Sequence, residues 1–294
     1  MTGVCTALVT PMLPGGEVDW TSLRSHVASQ IAAGVDGLVP VGTTGESPTL
    51  DQKEHLQVIE EVVKTADGRV PVIAGTGANS TAEALQLTKE AEKRGADAFL
   101  QVAPYYNKPS QEGLYQHFAR IAESTARPLM LYSIPGRCGV AIGVETVARL
   151  AADFPQVNTI KEAGGDVTRV QDLRAAAPGV SIVSGDDGLI GPFVAAGAEG
   201  VVSVAANFRP EVVVAYTRAC REGRRTAAME IWDQWHPLFT ELVFMAGNPV
   251  TIKEVLYAAG KIPHPEFRLP LVRMEETQRA RVRRLLKDLR EAEA

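Results

Sequence analysis

Val157-Asn158-Thr159-Ile160-Lys161-Glu162-Ala163-Gly164-Gly165-Asp166 is the stretch whose reading decides the fold. An apolar, β-branched run ends on a lysine, and two glycines then turn the chain towards a helical pattern that begins near Asp166. This is a β-strand delivering Lys161 to its C-terminal end, just before a βα turn. Among apolar neighbours the pKa of such a lysine falls, because desolvation disfavours the ammonium. An unperturbed lysine is neutral in only about one molecule in a few thousand at pH 7, so a nucleophilic amine needs such a setting. The competing reading is an ordinary lysine snorkelling from a strand end. Ile252-Lys253-Glu254 repeats the tripeptide inside a helical pattern without a glycine turn, and that lysine reads as structural.

Working outward, the same strand-then-helix unit occurs eight times. Strand-like runs lie near Val4–Thr10, Gly37–Val41, Val70–Gly75, Ala98–Val102, Pro128–Tyr132, Val157–Lys161, Val180–Ser184 and Gly200–Val204. Helical patterns between them fall near 19–33, 51–65, 80–94, 110–125, 143–153, 166–176 and 187–196, with an eighth near 210–223. Ser80-Thr81-Ala82-Glu83 and Asp51-Gln52-Lys53-Glu54 have capping-box spacing, while Gly34, Gly95 and Gly197 mark helix ends. Continuous apolar strands alternating with helices imply a parallel sheet covered on its faces, and eight units favour a closed barrel over an open sheet. The expected fold is α/β, a (β/α)8 TIM barrel over residues 1–224. A C-terminal helical region, 225–294, is expected to pack on it through helices near 225–245, 250–259 and 273–291. In the last of these Val282, Leu285, Leu286 and Leu289 form an apolar stripe.

Composition narrows the function. A net charge of −5 without a basic block argues against nucleic acid as the main partner. Cys5, Cys138 and Cys220 are far apart and lack C-x-x-C spacing, and the five histidines form no H-E-x-x-H pair, so neither a disulfide framework nor a metal site is legible. The apolar N-terminus is short, lacks a basic flank and reads as a first strand, and no run approaches the ~20 apolar residues of a membrane span. A cytoplasmic enzyme without a cofactor is expected.

In this architecture reacting groups sit where strands end and βα loops begin. After strand two, Gly42-Thr43-Thr44-Gly45-Glu46-Ser47 offers backbone N–H groups and hydroxyls suited to an anion, and without G-K-[ST] a small carboxylate fits better than a nucleotide. Strand four ends in Ala103-Pro104-Tyr105-Tyr106-Asn107-Lys108-Pro109, strand five in Tyr132-Ser133-Ile134-Pro135-Gly136-Arg137, and strand seven in Ser184-Gly185-Asp186-Asp187. Rim tyrosines can simply pack their rings, but a phenol also donates and accepts protons. Lysine, tyrosine, threonine and arginine at one mouth supply an amine nucleophile, a proton relay and a carboxylate clamp for carbonyl chemistry.

These strand ends, together with Pro104 through Tyr115, Tyr132 through Gly139 and Ile160-Lys161-Glu162-Ala163, resemble the 4-hydroxy-tetrahydrodipicolinate synthase (dihydrodipicolinate synthase) family of the pyruvate-dependent class I aldolases. The resemblance runs from about residue 3 into the tail, with the motifs in the same order. It implies condensation of pyruvate with L-aspartate 4-semialdehyde in the lysine (diaminopimelate) pathway, with Lys161 as the Schiff-base residue. By the same resemblance Tyr132 shuttles protons through Thr44 and Tyr106, Thr43 and Thr44 hold the pyruvate carboxylate, and Arg137 clamps that of the semialdehyde. Gly185, Ser184 and the eighth-strand carbonyl near Val202 line the pocket. Cys138 replaces a threonine common in the family and is expected to pack. The resemblance further implies a homotetramer built as a dimer of dimers, with Tyr106 entering a neighbouring subunit's site. It also implies an inhibitory L-lysine site at Ser47, His55, Asn79, Glu83 and Tyr105, where Pro48 and Gln52 depart from the lysine-sensitive pattern. An N-acetylneuraminate or 2-keto-3-deoxy sugar acid lyase, or a barrel that only binds small carboxylates, are the alternatives.

Overall fold

The computed structural model describes residues 2–293. Eight strands, β1 (Gly3–Ala7), β2 (Gly37–Val39), β3 (Ile73–Gly75), β4 (Ala98–Val102), β5 (Leu129–Ser133), β6 (Val157–Glu162), β7 (Ser181–Ser184) and β8 (Gly200–Ser203), pair in parallel in the order β2-β1-β8-β7-β6-β5-β4-β3. A parallel bridge between Leu38 and Val72 joins the two ends, and the Gly75 N–H donates to the Pro40 carbonyl at 3.0 Å. The sheet therefore closes into the expected (β/α)8 barrel, which leaves no free edge.

Helices α1 (Trp20–Ala32), α2 (Gln52–Ala66), α3 (Thr81–Lys93), α4 (Gln111–Ala122), α5 (Pro135–Cys138), α6 (Val144–Asp153), α7 (Thr168–Ala176), α8 (Ile190–Ala196) and α9 (Pro210–Arg221) follow the strands. Helices α10 (Arg225–Phe244), α11 (Val250–Ala258) and α12 (Glu276–Glu293) form the C-terminal region. The complete capping box is at α2, where Asp51 accepts from the Glu54 N–H and the Glu54 carboxylate returns to the Asp51 N–H. At α3 only half of it forms: Ser80 accepts from the Glu83 N–H, and the Glu83 side chain does not return. Several strands stop earlier than expected. In β2 the reason is local, because Val41 has φ +50° and turns the chain out of the sheet into the Gly42–Thr44 loop. The pattern over 187–196 likewise divides into a 3₁₀ turn, Asp187–Leu189, and α8. The single-turn α5, begun by Pro135 at its first position, was not expected.

Alternation along β6 assigns each side chain its place. Ile160 and Glu162 face the helices, while Thr159 and Lys161 face the barrel interior, as two-residue periodicity requires. Glu162 is buried and accepts from Arg169 Nε of α7 at 2.6 Å and from the Gly164 N–H at 2.8 Å, which compensates its desolvation and fixes the turn after Lys161. Inside the barrel Cys5, Val39, Ile73, Leu100, Met130 and Val202 make a compact apolar plug beneath the mouth. The larger core lies between sheet and helices and takes in the α12 stripe, where Val282, Leu285, Leu286 and Leu289 are all buried. Among the described residues no helix is long and apolar enough to cross a membrane.

The C-terminal region reaches the mouth as well as the outer wall. Lys253 of α11 is fully buried and pairs with Glu46 at 2.5 Å, directly after the Thr43-Thr44 loop. Leaving either charge alone in so dry a place costs roughly 3–5 kcal/mol, so the contact ties loop and tail together. Burial lowers the Lys253 pKa while Glu46 opposes that shift. Lys253 is structural, as its setting in the sequence indicated.

Candidate active site

Tyr132 on β5 and Lys161 on β6 are register partners, so both side chains enter the same layer of the barrel. Lys161 Nζ lies 4.1 Å from the centroid of the Tyr132 ring. Gly185 at the end of β7 makes room for the lysine, since a Cβ there would fall 2.9 Å from Lys161 Cε and 2.6 Å from Ala163 Cβ. A cavity of about 80 Å³ is lined by Thr43, Thr44, Tyr132, Arg137, Lys161 and Gly185 among others. An adjoining cavity of about 220 Å³ shares Thr43, Tyr132 and Arg137 with it and extends to Ser47, Pro48, Tyr105 and Cys138.

The electrostatics suit a neutral amine. Burial brings the Lys161 pKa down to about 8, with Asp187 opposing the shift and Arg137 assisting it. Near pH 7 this leaves roughly one amine in ten unprotonated, a gain of more than a hundredfold over a solvated lysine. Asp187 is itself raised to about 6 by burial, against the hydrogen bonds it accepts from the Ser203 hydroxyl and from the Val204 and Ala205 N–H groups. Burial pushes the Tyr132 phenol up to about 12 although Arg137 and a hydrogen bond with Thr43 pull it down, so it is a protonated donor at neutral pH. The Cys138 thiol is raised to about 11, again by burial, and is buried as packing requires, not activated as a nucleophile.

The residues expected from the sequence take particular places. Thr44 Oγ1 accepts from Asn248 Nδ2 at 2.7 Å, and Thr43 and Thr44 both line the lysine cavity together with Tyr132. Val204, beyond the end of β8, lines the 80 Å³ cavity, whereas Val202 sits one layer deeper in the barrel plug. His55 is buried with Nε2 bonded to the Gly75 carbonyl at 2.7 Å, and desolvation lowers its pKa, so it is a neutral, engaged ring. Tyr106 is 90% exposed at φ +75° and lines neither cavity.

Two contributors were not found from the sequence: Phe244 and Asn248, at the junction of α10 and α11, both line the lysine cavity. Asn248 also accepts at its backbone carbonyl from Arg137 Nη2 at 2.9 Å. The Gly247-Asn248-Pro249 turn signal was present, but nothing in chain order links it to a loop some 200 residues earlier. Among the described residues no group of three or more His, Cys, Asp or Glu side chains forms a metal position.

A closed β/α barrel that presents a buried, partly neutral lysine beside a phenol fits the class of lyases and aldolases. The model of the dihydrodipicolinate synthetase family matches residues 1–289, and the chain belongs to that family. It is 48% identical over 287 residues to a 4-hydroxy-tetrahydrodipicolinate synthase from Persephonella marina, covering 97% of each chain. A dihydrodipicolinate synthase from Acinetobacter baumannii, solved in complex with pyruvate, superposes with a TM-score of 0.94 at 44% identity and 98% coverage of both chains. A relative from Cyanidioschyzon merolae, solved with lysine bound, gives a TM-score of 0.93 at 37% identity and 98% coverage of both.

Proposed function

We propose that this protein condenses pyruvate with L-aspartate 4-semialdehyde through a Schiff base on Lys161, giving 4-hydroxy-tetrahydrodipicolinate for lysine and diaminopimelate biosynthesis. The observation that carries the reading is the buried Lys161 amine, with a pKa of about 8, in register with Tyr132. The neutral amine adds to the keto carbon and water leaves. The resulting iminium draws electrons from the methyl group, a proton departs, and the enamine carbon attacks the aldehyde. The amine of the second substrate then displaces Lys161 from the imine carbon, closing the ring and freeing the enzyme. Thr43 and Thr44 meet the pyruvate carboxylate, and Tyr132 moves protons, relayed through Thr44 and Tyr106.

Arg137, exposed at the rim, clamps the carboxylate of the semialdehyde. A guanidinium can hold a carboxylate through two parallel hydrogen bonds, a geometry lysine cannot copy. Arg137→Lys is expected to lower kcat/KM for the semialdehyde by roughly one to two decades with little change in KM for pyruvate. Steady-state assays with aspartate semialdehyde, N-acetylneuraminate and 2-keto-3-deoxy sugar acids test function and clamp together. Faster turnover of a sugar acid would replace this reading by the lyase alternative.

An oligomer completes the site in this proposal, with Tyr106 of the partner subunit joining the relay through Thr44 in a dimer of dimers. Its support is the exposure of Tyr106 beside an open cavity that includes Tyr105. A cytoplasmic setting is part of the same proposal, in keeping with three free cysteines, and cell fractionation tests it.

L-Lysine is the proposed inhibitor, bound near Ser47, Asn79, Glu83 and Tyr105. The half-formed capping box leaves the Glu83 carboxylate available for an ammonium, and Glu83 acts on Tyr105 electrostatically. His55, buried and neutral, serves at most as an uncharged neighbour. Pro48 removes an N–H and stiffens this rim, so inhibition is expected to be weaker than in the matched pattern. Calorimetry should show heat at millimolar lysine that is lost in Glu83→Ala. No heat together with unchanged turnover would retire the idea.

A further inference from the structure

Building on the pyruvate reading above, we propose that Asn248 is a positioning residue that sets the direction of the Thr44 hydroxyl and thereby the site's affinity for the carboxylate of its keto-acid substrate. The turn that carries it is fixed at both ends. The Ala246 N–H donates to Thr251 Oγ1 at 2.8 Å, and one turn further on Lys253 is locked to Glu46. Asn248 is thereby held in the cavity wall, where Nδ2 donates to Thr44 Oγ1 at 2.7 Å and its carbonyl accepts from Arg137 Nη2 at 2.9 Å. One residue thus touches the groups assigned to both substrate carboxylates.

The polarity of the first contact matters. A threonine hydroxyl has one proton to give and two places to accept. With an amide N–H filling one acceptor position, the Thr44 proton remains free for an anion in the cavity. An acceptor in place of Nδ2 would take that proton for itself. Asn248 Oδ1 is buried without a hydrogen-bond partner. A side chain retained only to close the turn would use both ends of its amide, because an unpaired buried acceptor destabilises the fold. Here only the donor end is engaged, and its partner is Thr44.

Asn248→Asp keeps the shape and reverses the polarity. An ionised carboxylate only accepts, so it captures the Thr44 proton and adds a negative charge beside the substrate's own. The pyruvate concentration giving half-maximal borohydride trapping, measured with pyruvate alone, is expected to rise roughly ten- to hundredfold near pH 8. Relative to wild type the increase shrinks towards pH 5, where a protonated aspartate can again donate to Thr44. KM for the semialdehyde changes less, because Arg137 is held by the backbone of residue 248. Asn248→Ala, which removes the donor without adding charge, should fall between wild type and Asn248→Asp. It decides the matter should the aspartate variant fail to fold, with thermal melting as the check. Wild-type half-saturation in the variants, or a fall in kcat with both KM values unchanged, overturns the proposal. Absence of trapping in the wild-type protein would instead overturn the Schiff-base reading itself.

Discussion

Lys161→Ala is expected to abolish covalent capture of pyruvate and to reduce turnover by roughly 10⁴- to 10⁶-fold, the scale seen when a nucleophile is removed from an otherwise intact site. Treatment with pyruvate and borohydride should place the pyruvyl mass on the wild-type peptide containing Lys161 and on no peptide of the variant. The fold should survive, because alanine removes a buried, desolvated amine, and Asp187, the main charge opposing its pKa shift, keeps its own three hydrogen bonds. Lys253 is the internal control, being buried and of lowered pKa but locked to Glu46 and outside both cavities. An adduct on Lys253, or none at all, sinks the mechanism. The pH profile follows from the same burial. Attack needs the neutral amine, so kcat/KM for pyruvate should rise about tenfold per pH unit below the Lys161 pKa of about 8 and flatten above it. A profile already flat from pH 6 upwards would show that the free amine is not the group titrating.

The second large effect is expected at the tyrosines. Tyr132→Phe keeps the ring under Lys161 Nζ and removes only the hydroxyl, so it tests proton transfer apart from packing. Loss of a positioned acid–base group costs roughly 10²–10⁴ in kcat, while pyruvate trapping should persist at a slower rate. Tyr106→Phe should be comparably impaired although the side chain is 90% exposed and lines neither cavity. If its hydroxyl acts in a partner's site, hybrids of Tyr106→Phe and Lys161→Ala regain activity, because some of their sites contain both intact groups. A fully active monomer in sedimentation, or hybrids as inactive as their parents, would count against the shared site.

The sequence by itself determined the barrel and the floor of the site. Eight apolar strands alternating with helices admit few topologies, and the two-residue period of β6 puts Lys161 and Glu162 on opposite faces whatever the rest of the chain does. Register could then be anticipated at Tyr132 and Lys161, because both stand at strand ends, and strand ends of a barrel share one rim. The roles of Thr43 and Thr44 were not legible in this way. Adjacent loop residues have no fixed period, and their hydroxyls follow whichever partners the tertiary structure brings near, as Asn248 is brought to Thr44. His55 shows the same limit from the other side: its helical position was readable, but only packing revealed its ring buried against the Gly75 carbonyl. The contribution of the C-terminal region was hidden altogether, since Asn248 and Lys253 meet Thr44 and Glu46 across 204 and 207 residues of chain. Local pattern reports on neighbours within a turn or a strand, whereas contacts of that separation exist only once the barrel has closed and the tail has packed against its mouth.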